Sequence, residues 1–416
     1  MAGDMETPRS LVDSEAIDEL TTRAVAEIYP SRDELVTALQ GGRPLRAYMG
    51  IDPTAPDMHV GHESQLLKLR RLQDLGHEVI LLLGDFTATI GDPSDKSAAR
   101  QQMTREEVLE NAEGYRAQAG KILDFDREEN PIKLVYNSEW LGPLSFADVL
   151  GLASEVTVQQ MLERSMFSKR IESGKPLHMH EMMYPLMQGY DSVAMGVDIE
   201  VGGSDQIFNM LVGTRLVRRM LNKQKYVIAG ELLVDPSGKK IGKSEGNMIT
   251  LNDEPAAMYQ KVMLWGDEIT PHALELCSTM PMDDIRTIEQ NLRDGTLSGQ
   301  DGKRLLARTI VTDLHGEVAA LAAESRYDAI AAGEVSDLDT IAEHGVTPGK
   351  SIIDILVESE LAVSRSAARH LLEAGAVRVD GEKVSLDWEV GESTEGAVVR
   401  VGKPRAENHR ILKQQQ

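Results

Sequence analysis

The sequence predicts an α/β protein built on a doubly wound parallel sheet, followed by a wholly helical region and a small α+β module. Three observations carry this. Up to about residue 250, short apolar runs ending in Gly or Asp turns alternate with stretches of helical periodicity. From about Glu254 to Tyr327 the pattern becomes helical throughout, as in "GKRLLARTIVTDLHGEVAALAAE". The length of 416 residues exceeds what one compact core supports and points to two or three domains.

In chain order, "PLRAYMGID" reads as a strand entering a loop, and "HESQLLKLRRLQDLG" as an amphipathic helix closed by Gly76. "HEVILLLGD" is a continuous apolar run, as expected of a parallel strand buried on both faces. "PIKLVYNSEWL" is a further strand. "VDIEVGGSDQIFNMLVGTRLVRRML" reads as strand, Gly-Gly turn and helix, and "KYVIAGELLVDPSGKKIGKSEGN" closes the region. In such sheets ligands sit at the carboxyl ends of the strands, where the unusual motifs of this chain fall. The polar stretch "AAGEVSDLDTIAEHGVTPGKS" then reads as a linker. The remainder reads as two short helices, a strand and a tight Asp-Gly turn. The expected domains are residues 1–249, with an insertion at about 125–182, then 250–330, a linker at 331–348, and 349–416.

Composition narrows the class. Hydrophobic residues at 41% and charged residues at 27% are ordinary for a soluble globular protein. No apolar run approaches the ~20 residues that span a bilayer, and the acidic N-terminus lacks the apolar core of a signal peptide. A cytoplasmic location with no membrane partner is expected. A single cysteine, Cys277, excludes a disulfide framework and a cysteine-built zinc site. The net charge of −23 opposes non-specific binding to nucleic acid, so an RNA partner would need a local basic track.

Three motifs suggest phosphate chemistry. In "HVGH", His59 and His62 bracket Gly61 where a loop becomes a helix. A helix N-terminus offers unpaired N–H groups to an anion. Two imidazoles add donors aimed at the same anion, and Gly61 lets a flat ring approach the backbone. "KKIGKSEGN" carries Lys240 and Lys243 in a Gly- and Ser-rich loop able to close over a polyphosphate. "GDPSDKSAAR" carries Asp92, Lys96 and Arg100 after a strand, with two cations placed to neutralise a leaving pyrophosphate. No Walker-type phosphate loop occurs. Separately, Tyr184, Gln188 and Asp191 stand at i, i+4 and i+7, on one face of a helix.

The ordered set resembles the HIGH and KMSKS signatures of class I aminoacyl-tRNA synthetases, and "YPLMQGYDSVAMGVDIEVGGSDQ" is similar to the tyrosyl branch of that family. The resemblance covers essentially the whole chain. It implies a Rossmann-like catalytic domain, a helical anticodon-recognition domain, and a small C-terminal RNA-binding domain like that of a ribosomal small-subunit protein. It implies an ATP-dependent, AMP-forming ligase that makes tyrosyl-adenylate and pyrophosphate, then transfers tyrosine to the 3′ end of tRNA. Tyr48 and Asp191 would hold the substrate phenol, and Tyr184, Gln188 and Asp92 its ammonium group. Asp205 and Gln206, after Gly203, would meet the ribose and the substrate carboxylate. Gly50, Asp52 and Thr54 form the loop beside ATP. His59 and His62 would stabilise the α-phosphate, while Lys240, Lys243, Ser244, Lys96 and Arg100 would face the pyrophosphate.

ATP enters as a substrate with Mg2+ as counter-ion, with no tightly bound cofactor and no protein metal site; His178 and His180 have no third ligand in the sequence. Tyrosine and tRNA are the other implied partners, and a homodimer built on the insertion is expected. Three departures from the family pattern stand out: Ile241-Gly242 between the lysines, Asp95 where glycine is usual, and Tyr48 at a position where the family varies. A tryptophan-using relative, a catalytically silent RNA-binding derivative and a nucleotidyltransferase of the same superfamily are the competing readings. The phenol-reading set, the intact histidines and lysines, and the RNA modules oppose them in turn.

Overall fold

The computed structural model describes residues 11–93, 103–234, 248–332, 342–359, 361–362, 364–391, 394, 397–402 and 409–414. The chain forms two compact units, Met1–Glu324 and Ser325–Gln416.

The first unit holds a six-stranded sheet made of β1 (Val25–Tyr29), β2 (Arg46–Ile51), β3 (Glu78–Leu83), β4 (Lys133–Tyr136), β5 (Ile199–Gly203) and β6 (Tyr226–Gly230). Their order is β1-β6-β5-β2-β3-β4. The four strands read from the sequence, β2 to β5, run parallel, as does β6 beside β5. The sheet is nonetheless mixed, because β1 adds to the β6 edge antiparallel. "VAEIY" is half-exposed and its register slips between Val25 and Glu27, so it lacks the apolar run that marked the other strands. β3 is the most buried, with Val79–Leu83 all in the core.

The helix after β2 spans Val60–Asp74, and Gly76 follows it in the left-handed region at φ 80°. The expected amphipathic character is not what the fold uses. Glu63, Ser64, Gln65, Lys68 and Gln73 are buried together with Leu66, Leu69 and Leu72. The reason is tertiary: further backbone covers this helix and satisfies Lys68 and Gln73, whereas Glu63 Oε2, Ser64 Oγ and Gln65 Oε1 are buried without a hydrogen-bond partner among the described residues. Lys68 Nζ donates to Arg23 O at 2.6 Å, and Gln73 Nε2 to Asp124 O at 2.7 Å. Arg23, itself buried, donates to four carbonyls beyond the sheet region: Leu274, Glu275, Ser278 and Met280. That guanidinium ties the N-terminal segment to the helices at Thr270–Leu276 and beyond.

The second unit contains β7 (Ala342–Val346), β8 (Val377–Val379), β9 (Glu382–Lys383), β10 (Val398–Val401) and β11 (His409–Gln414), ordered β7-β11-β10-β8-β9. Helices Ile352–Glu358 and Arg365–Glu373 share its core through Ile352, Ile355, Leu356, Ala368 and Leu372, against Val377, Val399 and Leu412. β7 lies inside the stretch that reads as a linker and pairs in parallel with β11. A partner strand far along the chain converts that polar segment into an edge. Arg369 is exposed, whereas Arg365 pairs with Asp354 and Arg378 Nη1 donates to Gly381 O at 2.6 Å. Among the described residues no helix is long and apolar enough to cross a membrane.

Candidate active site

The described site residues gather at the carboxyl ends of β2, β3, β4 and β5, as the parallel topology requires. His59 is the N-cap of helix Val60–Asp74. Its Nδ1 accepts from Gly61 N at 3.1 Å, and His62 Nδ1 accepts from His59 N at 3.1 Å. Both Nδ1 atoms act as acceptors, so each neutral ring carries its proton on Nε2 and presents a donor there. The rings stack at 4.0 Å between centroids. A Cβ at position 61 would lie 2.8 Å from the His59 ring, so only glycine permits this cap.

The segment after the lysine loop is held against the same motif. Val60 N donates to Ile249 O at 3.1 Å and Leu251 N to Met58 O at 2.8 Å. Lys240, Lys243, Ser244, Lys96 and Arg100, as well as Asp95 and Ile241-Gly242, lie outside the described residues.

Helix Met179–Ala194 brings Tyr184, Gln188 and Asp191 to the sheet edge on one face, as their spacing requires. Asp191 is 2% exposed. Its Oδ1 accepts from Trp140 Nε1 at 2.7 Å and its Oδ2 from Asn137 Nδ2 at 3.3 Å. Burial pushes its carboxyl well above the usual carboxylate range, against the pull of those two donors. Tyr48 packs with Ile80, Leu82, Met195 and Val197, and Trp140 borders this cluster. The Tyr48 hydroxyl bonds to Ser192 Oγ at 2.9 Å rather than to Asp191. Burial, then the nearby Glu200 and Asp191, hold it well above the usual phenol range, so it keeps its proton.

Tyr184 donates to Asp52 Oδ2 at 2.9 Å, and Thr87 Oγ1 to Asp52 Oδ1 at 2.7 Å. Burial raises Asp52 to about 7, with both donors opposing and Asp92 and Asp85 reinforcing the rise. Asp92 is reached by Gln206 Nε2 at 2.6 Å rather than by Tyr184. From there a hydrogen-bonded chain runs inward. Asn209 Nδ2 bridges Gln206 Oε1 at 3.0 Å and Gln188 Oε1 at 2.9 Å, and Gln188 Nε2 donates to Glu200 Oε1 at 3.1 Å. Glu200 is ion-paired with Lys225, both nearly inaccessible, and Lys225 Nζ also donates to Met210 O at 2.9 Å.

Asp205 is exposed at the end of β5. A Cβ at Gly203 would fall 2.6 Å from Oδ1 of the exposed Asp205 side chain, which would have to turn away, and 3.0 Å from Leu232 Cδ2. Gly50 differs: it is exposed and a Cβ would make only ordinary contacts, 3.6 Å from Leu82 and 3.9 Å from Tyr48. Thr54 follows β2 in a turn closed by its N–H on Asp52 O at 2.7 Å. His178 and His180 stack at 5.6 Å, and among the described residues no group of three His, Cys, Asp or Glu could hold a metal ion.

Sequence reasoning missed Asn137, Trp140, Ser192, Glu200, Asn209 and Lys225. Asn137 and Trp140 had a usable signal, because they sit just past the end of β4. Glu200 and Lys225 had none; their pairing depends on β5 and β6 being neighbours.

A profile of the class I tRNA synthetases (W and Y) matches residues 40–331, and one of the S4 domain matches 352–395. The tyrosine–tRNA ligase of Carboxydothermus hydrogenoformans is 43% identical over 400 residues, 93% of this chain and 96% of that protein. That of Moorella thermoacetica is 42% identical over 388 residues, 92% of each. The chain belongs to the tyrosine–tRNA ligase family. The ligase also shares its fold with the C-terminally truncated mitochondrial tyrosyl-tRNA synthetase of Aspergillus nidulans. That match has a TM-score of 0.65 at 23% identity, over 76% of this chain and 94% of that one. The family accounts for the polar cluster described above. The ligase uses ATP as a substrate and acts on tyrosine and tRNA, so its site has to hold and polarise its substrates.

Proposed function

We propose that the cluster just described performs the family reaction. Tyrosine and ATP give tyrosyl-adenylate and pyrophosphate, and tyrosine then passes to the 3′ end of its tRNA. The observation that carries this reading is Asp191, a buried acceptor fixed by Trp140 and Asn137 beside an apolar cluster. A phenol hydroxyl donates to the lone pairs that these two N–H groups leave over. Tyr48 completes the slot. Asp92, Tyr184 and Gln188 receive the ammonium group, and Asp205 and Gln206 the ribose and carboxylate ends.

The tyrosine carboxylate attacks the α-phosphorus, forming a C–O–P link as the bond to pyrophosphate breaks. His59 and His62 donate from Nε2 to the α-phosphate oxygens as charge grows there. Gly50, Gly61 and Gly203 let ATP approach the backbone, with Asp52 and Thr54 shaping the loop between. Lys240, Lys243, Ser244, Lys96 and Arg100 neutralise the leaving pyrophosphate, and ATP arrives as its Mg2+ complex. The terminal ribose hydroxyl of tRNA then attacks the carbonyl carbon and AMP leaves.

Residues 1–249 supply this chemistry, residues 250–330 read the anticodon, and residues 349–416 add RNA contacts after a linker at 331–348. Exposed Phe146, Leu150, Val158, Ile171 and Met179 in and beside the insertion support a homodimer built there. A cytoplasmic location, together with its tRNA, belongs to this reading. ATP–pyrophosphate exchange across the amino acids tests the reading. Exchange with tyrosine alone is expected, and exchange driven by tryptophan, or none at all, refutes it.

A further inference from the structure

Arg164 opens helix Ser165–Glu172 inside the insertion and has no part in the scheme above. Its side chain is 6% exposed. The guanidinium lies 5.4 Å from the Phe167 ring centroid and 5.5 Å from that of Phe208. Nη2 comes to 3.6 Å from Asp92 Oδ1, beyond hydrogen-bond distance. Neither Nη1 nor Nη2 has a hydrogen-bond partner among the described residues. Leaving a buried cation's donors unpaired is costly unless a ligand completes them. A guanidinium serving stability alone would close on Asp92 in the forked geometry that Arg–carboxylate pairs favour. Here it is held back, dry and beside two aromatic faces.

We propose that Arg164 binds the α-carboxylate of tyrosine. This rests on reading Asp92 as the ammonium site. The two charges of an α-amino acid sit on one carbon, so an ammonium group at Asp92 brings the carboxylate to a guanidinium already 3.6 Å from that residue. On binding, the ammonium replaces Arg164 as the cation facing Asp92. The Nη donors turn to the carboxylate and hold one oxygen in line for the α-phosphorus. The planar fork of arginine suits a planar carboxylate, and lysine would not reproduce it.

The full-length chain is titrated calorimetrically with L-tyrosine and with tyramine, which lacks the carboxylate. Arg164→Gln is expected to weaken tyrosine about tenfold or more while leaving tyramine unchanged. Arg164→Lys, the fallback should the Gln variant not fold, should show the same selectivity to a smaller degree. Equal weakening of both ligands, or unchanged tyrosine binding, overturns the proposal. A tyrosine adenylate analogue is titrated alongside, and a loss confined to it would make phosphate the anion and likewise overturn the proposal. Asp191→Asn separates the two layers. If it leaves both ligands unaffected while Arg164→Gln remains selective for tyrosine, the phenol assignment fails and the carboxylate assignment stands.

Discussion

Replacing Asp191 by asparagine keeps the shape of the side chain and reverses half of its hydrogen bonding. Both neighbours that reach the carboxylate are donors, Trp140 Nε1 at 2.7 Å and Asn137 Nδ2 at 3.3 Å. An amide must point its own N–H groups at one of them in either orientation. With 2% exposure, water does not relieve that clash. An unsatisfied buried donor costs about 1–3 kcal/mol of stability. Burial holds Asp191 well above the usual carboxylate range, so the lost bond from the substrate phenol is that to a neutral carboxyl, about 0.5–1.5 kcal/mol or roughly 2- to 13-fold in kcat/KM. Phenylalanine never makes that bond, so its use should change little. Exchange kinetics with tyrosine and phenylalanine, with thermal melting alongside, read both effects. An Asp191→Asn variant that melts like the parent and keeps its preference for tyrosine refutes the reasoning.

Arg23→Met removes four hydrogen bonds to the carbonyls of Leu274, Glu275, Ser278 and Met280, and should lower stability by about 3–5 kcal/mol in urea unfolding. Asp52 titrates at about 7 when folded, against about 3.9 unfolded. Between those values the folded chain keeps a proton that the unfolded chain has lost, so this group makes stability fall as pH rises through that window. Asp52→Asn abolishes the titration, and its melting temperature relative to the parent should rise by about 3 °C or more between pH 4.5 and pH 8. A constant difference would show that burial does not shift this carboxyl. Lys243→Ala should slow activation by about 10²-fold with tyrosine affinity nearly unchanged, read by exchange and by equilibrium binding.

Local geometry is what the sequence by itself determined. A spacing of i, i+4 and i+7 places Tyr184, Gln188 and Asp191 on one helix face in any tertiary setting. A His-x-Gly-His start makes an imidazole cap that only glycine accommodates. A continuous apolar run such as Val79–Leu83 marks a strand covered on both sides, and the local sequence pattern located four of the six strands of the first sheet, β2 to β5. β1 escaped because a short, half-exposed edge strand carries no such run.

Which groups meet across the sheet was decided by the tertiary structure alone. Asp191 receives its donors from residues 51 and 54 positions away, and Glu200 its lysine from 25 away. The buried face of helix Val60–Asp74 likewise depends on backbone packed against it from remote elements. Periodicity reports which residues share a face, because that follows from the helix or strand itself. It carries no information on which strand lies alongside, and strand order is what places a buried donor opposite a buried acceptor.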